Sequence, residues 1–196
     1  MVKLDHDSDG NVYEVWKQQQ ESSCGVASIW MARCLVQQKS INEDEWSLAR
    51  AVYISVVGQT LAAMDKRKDD GPQSYDATKL PANRETSANA IASGGYSAEQ
   101  IRTALIGQGL SVDASIPDGA GTPFNASKLG DRRPAVVLVQ WKNGAGHFVV
   151  AARQSSYGTI VFLDPWDGKV NERPNTTRYR GRYGNAGQIV AVLYLS

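Results

Sequence analysis

The clearest pattern of apolar positions in the chain follows directly after Ser22 and Ser23. Apolar residues recur there every three or four positions, at Val26, Ala27, Trp30, Met31 and Leu35. This spacing places them on one face of a helix and predicts a buried helix over residues 24–38. Because a serine hydroxyl can accept a hydrogen bond from a backbone N–H of the first turn, we expect Ser22 or Ser23 to cap this helix.

Two further helices are predicted before the last third of the chain. Acidic residues at 42–45 suit a first turn, since the N-terminus of a helix is positive. The apolar positions that continue from Trp46 are interrupted at Gly58, where a break is expected. Another helix begins at Ser97 and ends at the glycines that follow it, and a short strand is expected at 110–112.

Apolar runs in the last third of the chain predict a β-sheet. The strands are expected at 135–141, 147–152, 159–163 and 188–195. Short turns containing glycine separate the first three, which is typical of antiparallel neighbours. The polar segments are expected to be loops, at 66–95 (an insertion or surface loop), 115–133 and 169–187. These elements predict one α+β domain over residues 1–196, with the helix that carries Cys24 packed on an antiparallel sheet.

Composition narrows the class of protein. Of the 196 residues, 42% are hydrophobic and 21% charged, as in soluble globular domains. The net charge of +1 argues against electrostatic binding to nucleic acid or membrane. No apolar run reaches the roughly 18 residues of a membrane span. The N-terminal residues contain no hydrophobic signal region. The expected location is therefore the cytoplasm, either of the producing cell or of a target cell.

The chain contains two cysteines, Cys24 and Cys34, ten residues apart in the same predicted helix. A helix rises about 1.5 Å per residue, so their Cα atoms would lie about 15 Å apart. A disulfide needs Cα atoms within about 7 Å, and both thiols are therefore expected to be free. Cys34 is expected to act as a small buried apolar residue. Cys24 stands at the start of the helix, where the macrodipole favours a thiolate.

A base for Cys24 can be sought among two histidines, His6 and His147. His6 lies in an acidic N-terminal segment, whereas His147 opens a predicted strand. A hairpin from this strand to the next would bring Asp164 back beside His147. Gln18, six residues before Cys24, lies on a loop that can bring its amide to the sulfur, where it would stabilise an oxyanion. Cys24, His147, Asp164 and Gln18 are thus candidate catalytic residues of a cysteine hydrolase.

Other interpretations of these segments stay open. Cys24 can be a buried helical cysteine, and His147 a strand histidine bonded to a backbone carbonyl. Residues 5–16 begin like a calcium loop, but Trp16 stands where the bidentate glutamate belongs, so an acidic turn before a short strand is the alternative. The run 178–183 alternates arginine with aromatic residues, which fits a solvated loop, an acidic partner or nucleic acid.

Four short motifs resemble those of the papain-like cysteine peptidases. In chain order they are Gln18, Cys24-Gly25-Val26-Ala27, His147-Phe148-Val149-Val150 and Asp164-Pro165-Trp166-Asp167-Gly168. Within that class the pattern is most similar to the bacterial double-glycine peptidases, which trim leader peptides. Two features depart from that group: Ser23 stands where an acidic residue often precedes the cysteine, and Cys24 and His147 are further apart than usual.

The resemblance implies a papain-like fold and a cysteine endopeptidase. His147 would activate Cys24, Asp164 would orient His147, and Gln18 would stabilise the oxyanion. Cleavage after two small residues, such as Gly-Gly, is also implied. The channel at the nucleophile would then be walled by bulky residues near both motifs, namely Trp141, Phe148 and Trp166.

Two other functions remain alternatives. A glutamine deamidase or transglutaminase uses the same type of triad, and a catalytically dead domain would bind peptides without cutting them. A protein or peptide is the expected partner, and neither nucleic acid nor membrane is expected. No cofactor is implied, and the cysteines and histidines on separate elements offer no metal cluster. Because no transporter or ATP-binding segment is visible, we expect a bacterial toxin or effector, paired with an inhibitor (immunity) protein.

Overall fold

The computed structural model describes residues 1–20, 22–65, 96–115, 125–181 and 184–196. Among these residues there are three α-helices: α1 Cys24–Gln37, α2 Glu45–Asp65 and α3 Ala98–Gly107. The strands are β1 Val2–His6, β2 Val12–Trp16, β3 Val112–Ser115, β4 Ala135–Trp141, β5 Gly146–Gln154, β6 Ile160–Asp164, β7 Lys169–Arg173, β8 Arg178–Arg180 and β9 Ala186–Leu195. The predicted insertion at 66–95 lies outside the described residues.

Seven strands form one sheet, in the order β3-β9-β4-β5-β6-β7, with β8 also paired to β9. Every pairing in this sheet is antiparallel. The remaining strands, β1 and β2, form a separate antiparallel hairpin. The predicted α+β class and the antiparallel sheet are therefore confirmed for the described part of the chain.

A hydrophobic core fills the space between the helices and one face of the sheet. Helix α1 contributes Val26, Ile29 and Trp30, all of which are buried, and β5 contributes Phe148 and Val150 from alternate positions. A helix that is apolar nearly all round is stable only when it is enclosed. The prediction of a buried helix after Ser23 is thus confirmed, and the helix that starts with Cys24 packs on the sheet.

The opposite face of the sheet carries a second apolar cluster, which includes Val149, Phe162 and Tyr179. Successive side chains of a strand point to opposite faces, so residues two apart share a face. His147 therefore lies on the same face of β5 as Val149, and Asp164 on the same face of β6 as Phe162. The alternation of the two neighbouring strands places the candidate histidine and aspartate on one side of the sheet.

The start of α1 differs from the prediction. Ser23 occupies the N-cap position, but its hydroxyl donates to the Gln20 carbonyl (3.0 Å) and accepts from the Gln20 N–H (3.2 Å). Its φ and ψ angles, −90° and 12°, are not those of the extended conformation that turns a capping side chain toward the first turn. The predicted serine cap is wrong. The hydroxyl closes the preceding loop instead.

The other two helices begin as their sequences indicate. The Asp44 carboxylate accepts hydrogen bonds from two backbone N–H groups in the first turn of α2. Helix α2 then continues through Gly58, so the break expected there is absent. Helix α3 starts with a capping box, in which Ser97 and Gln100 each accept a hydrogen bond from the backbone of the other.

The acidic segment near the N-terminus forms the turn between β1 and β2. The buried Asp7 carboxylate accepts hydrogen bonds from the backbone N–H groups of Asp9 and Asn11 and from the Tyr13 hydroxyl. Asp9 accepts from Arg153 at 2.7 Å. Among the described residues, no group of three or more His, Cys, Asp or Glu side chains is arranged to hold a metal. These contacts form the acidic turn that was predicted before a short strand.

The segment predicted as a polar loop at 169–187 contains two strands, β7 and β8. Tyr179 is fully buried, whereas Arg178 and Arg180 on either side are exposed. This is the alternation of a strand with one buried face. The loop prediction is therefore wrong over β7 and β8, and the enclosed Tyr179 ring cannot stack on a nucleic-acid base.

Candidate active site

His147 and Asp164 are joined by a hydrogen bond at the end of the β5–β6 pair. Val150 pairs with Leu163, so the antiparallel register brings Val149 opposite Asp164. His147 lies two residues before Val149 and is therefore the diagonal neighbour of Asp164 on the same face. The distance from His147 Nε2 to Asp164 Oδ1 is 2.8 Å. The two residues are only 5% and 4% exposed. The predicted hairpin geometry is thus confirmed.

The third member of the group, Cys24, comes from the opposite layer. It is the first residue of α1 and lines the same cavity as His147, and its side chain contributes to the raised pKa of that imidazole. Because Nε2 faces Asp164, Nδ1 is the ring nitrogen left for Cys24. Both cysteines are free. Burial raises the pKa of Cys34 to about 11, which keeps that thiol protonated.

The pair of His147 and Asp164 is charged at neutral pH. Burial by itself would lower the pKa of His147, but the hydrogen bonds and charges of Asp164 and Cys24 raise it to about 9. Burial by itself would raise the pKa of Asp164. The contacts with His147, together with donors from Tyr179 and the Trp166 backbone, hold that pKa below its ordinary value. The site therefore favours a protonated imidazole next to a carboxylate.

Two further residues reach this site from strands that the sequence does not predict. The Tyr179 hydroxyl donates to Asp164 Oδ2 at 2.6 Å, and the Asn171 amide donates to the Tyr179 hydroxyl at 3.2 Å. Neither is among the predicted site residues, because both lie in the segment interpreted as a loop. The signal that could have found Tyr179 was the alternation of Arg178-Tyr179-Arg180, which indicates a strand with one inward residue.

The loop that leads into Cys24 is tied down at several points. The Gln18 N–H donates to the Pro165 carbonyl at 2.8 Å, and the Gln19 N–H donates to the Glu45 carboxylate at 3.0 Å. The Gln18 side chain donates to the Gln20 carbonyl at 2.8 Å. Gln18 therefore joins the Cys24 loop to the turn after Asp164, while its role toward an oxyanion stays a prediction.

That turn also packs directly on the loop. Gly168 has a φ of +67°, and a Cβ atom built on it would lie 2.8 Å from the Lys17 Cβ. Only glycine combines this conformation with so close an approach. The Asp164-Pro165-Trp166-Asp167-Gly168 motif therefore performs two structural tasks: it presents the carboxylate, and it holds the residues that precede Cys24.

Aromatic rings enclose the imidazole. The Trp141 ring stacks on His147 with centroids 5.8 Å apart and planes 22° apart, and the Trp166 ring meets His147 edge-on at 6.2 Å. Gly187 permits this packing, since a Cβ atom there would lie 2.6 Å from the Trp141 ring. These contacts limit the rotation of His147 and keep water from most of its surface.

Two cavities meet at Cys24. The first has a volume of about 500 Å³ and is lined by His147, Trp141 and Trp166. The second, of about 480 Å³, is lined by residues that include Leu138 and Phe148. Cys24 lines both cavities. The three bulky residues predicted to wall a channel are thus divided between two cavities.

The arrangement can perform nucleophilic chemistry, because a thiol, an imidazole and a carboxylate lie in sequence at the border of a cavity. His6, the other histidine, is exposed on β1.

None of the helices in the described part of the chain has the length and hydropathy needed to cross a bilayer. Neither a protein-family model nor a curated protein matches this chain significantly.

Proposed function

We propose that this protein is a cysteine endopeptidase with a papain-like fold that acts on proteins or peptides. The observation that carries the proposal is the position of the His147 ring, which is bonded to Asp164 at 2.8 Å and lines one cavity together with Cys24. A strand histidine bonded only to a backbone carbonyl would not have these two partners.

In the proposed reaction, the His147 imidazolium holds the proton of the Cys24 thiol, and the sulfur attacks a peptide carbonyl. The backbone N–H of Cys24, which has no intrahelical partner because it begins α1, donates to the oxyanion. Gln18 is the proposed second donor. His147 then protonates the leaving amine, which departs as the thioester forms. Water, deprotonated by His147, hydrolyses the thioester and regenerates the thiol, while Asp164 stabilises the imidazolium.

The two cavities suggest how a peptide would lie. Since His147 must protonate the leaving amine, the part of the substrate after the cut belongs in the cavity with Trp141 and Trp166. The acyl part then belongs in the cavity with Leu138 and Phe148. Cleavage after Gly-Gly, which the sequence resemblance implies, and a role as a bacterial toxin are further parts of the proposal.

A peptide digest distinguishes this proposal from the alternatives. Peptides from a whole proteome would be incubated with the parent protein or with Cys24→Ala and then analysed by mass spectrometry. We expect new termini that depend on Cys24, with glycine before the cut. Glutamine residues converted to glutamate without cleavage would indicate a deamidase instead. Identical spectra with the two proteins would support a dead peptide-binding domain and contradict the proposed activity.

A further inference from the structure

The Asp164 carboxylate is fixed through both of its oxygens. Oδ1 accepts from His147 Nε2 at 2.8 Å and from the Trp166 N–H at 2.9 Å. Oδ2 accepts from the Tyr179 hydroxyl at 2.6 Å. A carboxylate held only through one oxygen can rotate about its Cβ–Cγ bond. The Tyr179 hydroxyl is therefore the contact that fixes the plane in which Oδ1 meets the imidazole.

Tyr179 is itself held rigidly. Its side chain has no exposed surface, and its ring meets Phe162 edge-on with centroids 5.0 Å apart. The buried Asn171 amide donates to the hydroxyl oxygen at 3.2 Å. With a donor on the oxygen, the hydroxyl proton is left to point at Asp164. Burial and the Asp164 charge raise the pKa of Tyr179 far above its ordinary value, so the hydroxyl stays a donor.

We propose that Tyr179, oriented by Asn171, is a positioning residue that holds the Asp164 carboxylate ionised and aligned with His147. This inference rests on the proposed function, since it assigns to Asn171 on β7 and Tyr179 on β8 the positioning of the proposed catalytic residue Asp164. Tyr179 has no exposed surface, so it acts through Asp164 rather than on a substrate.

Removal of the hydroxyl has a predictable effect on the pH dependence of Cys24. In Tyr179→Phe the buried carboxylate loses a donor, so its protonated form is favoured and its pKa rises toward the ordinary value. A protonated Asp164 no longer stabilises the His147 imidazolium. Cys24 then loses the positive charge that stabilises its thiolate. Within the described residues, the other ionisable groups facing this chain of contacts are Cys24 on α1, His147 on β5 and Arg173 on β7.

The chain offers a matched control. Tyr13 is another buried tyrosine whose hydroxyl donates to a buried carboxylate, that of Asp7, at 2.8 Å. Both Tyr179→Phe and Tyr13→Phe remove one hydroxyl, keep the ring and break one charge-assisted hydrogen bond. A merely structural role predicts the same outcome for both variants.

The test measures the alkylation rate of Cys24 by iodoacetamide as a function of pH, with mass spectrometry to separate it from Cys34. We expect Tyr179→Phe to move the acid limb of this profile up by about one pH unit, the scale of one charge-assisted hydrogen bond. Tyr13→Phe should leave the profile unchanged. If Tyr179→Phe and the parent are both folded and reactive and their profiles superimpose, the inference is overturned.

The contribution of Asn171 is tested by a double variant. Because Asn171 acts through the Tyr179 hydroxyl, Asn171→Ala should shift the profile in the same direction but less. In the double variant, Asn171→Ala should cause no further shift of the profile beyond that of Tyr179→Phe. An additional shift in the double variant would overturn the role of Asn171. A parent protein whose Cys24 reacts no faster than Cys34 at any pH would instead contradict the proposed function itself, which keeps the two failures distinct.

Discussion

His147 links the thiol to the carboxylate, and its charge determines what the site can do. In the proposed reaction, a protonated imidazole stabilises the thiolate beside it and later supplies the proton that the leaving amine needs. The contacts that hold this proton also contribute to the stability of the folded protein, because the pKa of His147 is raised in the native state relative to the unfolded chain.

This linkage gives a prediction for stability. The native pKa of His147 is about 9 and its ordinary value is 6.5, so its contribution is fully present below about pH 6.5. It is lost as the pH rises through about 9, by an amount on the order of 1–3 kcal/mol. We expect urea unfolding of the parent to show this loss and His147→Gln to lack it. The same pH dependence in both proteins would show that His147 is not protonated in the folded state.

At the residue scale, the sequence predicted Cys24, His147 and Asp164 because each stands at the end of a strongly patterned element. Tyr179 and Asn171 could not be found in this way. Their contacts depend on the register of two short strands in a polar segment, and no apolar run marks those strands.

At the scale of elements, the loop before Cys24 depends on the first turn of α2. Glu45 is buried there, and both of its carboxylate oxygens accept the Gln19 N–H, at 3.0 and 3.3 Å. A carboxylate that accepts a backbone N–H forms a stronger hydrogen bond than a neutral amide does. Glu45 therefore connects a helix to the segment that positions the nucleophile.

We predict that Glu45→Gln lowers the free energy of unfolding by about 1–2 kcal/mol, since a charge-assisted bond in a buried position is weakened. The control is Glu99→Gln, which changes an exposed glutamate in the first turn of α3. That change should stay within about 0.5 kcal/mol. Urea unfolding of both variants provides the measurement. Equal stability of the Glu45 variant and the parent would mean that the Gln19 contact does not anchor the loop.

The elements themselves were predicted to different degrees. Helix α1 and strands β4, β5, β6 and β9 follow from apolar periodicity, because the core encloses them. The serine cap failed because the hydroxyl of Ser23 has a competing partner in Gln20, which no local pattern encodes. The break at Gly58 failed because one glycine costs a helix only about 1 kcal/mol.

At the scale of the whole molecule, the site exists only when the two layers are packed together. Cys24 belongs to a helix, whereas His147 and Asp164 belong to the sheet. The apolar cluster between the layers brings them into contact. The identity of the substrate depends on the shape of both cavities and on surfaces around them, which arise from residues far apart in the sequence and could not be predicted from motifs.

The most direct test of the central claim compares the two cysteines in one protein. Cys24 and Cys34 are equally buried, at 8% exposure each, so accessibility alone predicts similar reaction rates. We predict that iodoacetamide near neutral pH labels Cys24 at least about tenfold faster than Cys34 in the folded protein, because only Cys24 has His147 beside it. In urea-unfolded protein the two rates should converge. Equal rates in the folded protein would contradict the assignment of Cys24 as the nucleophile.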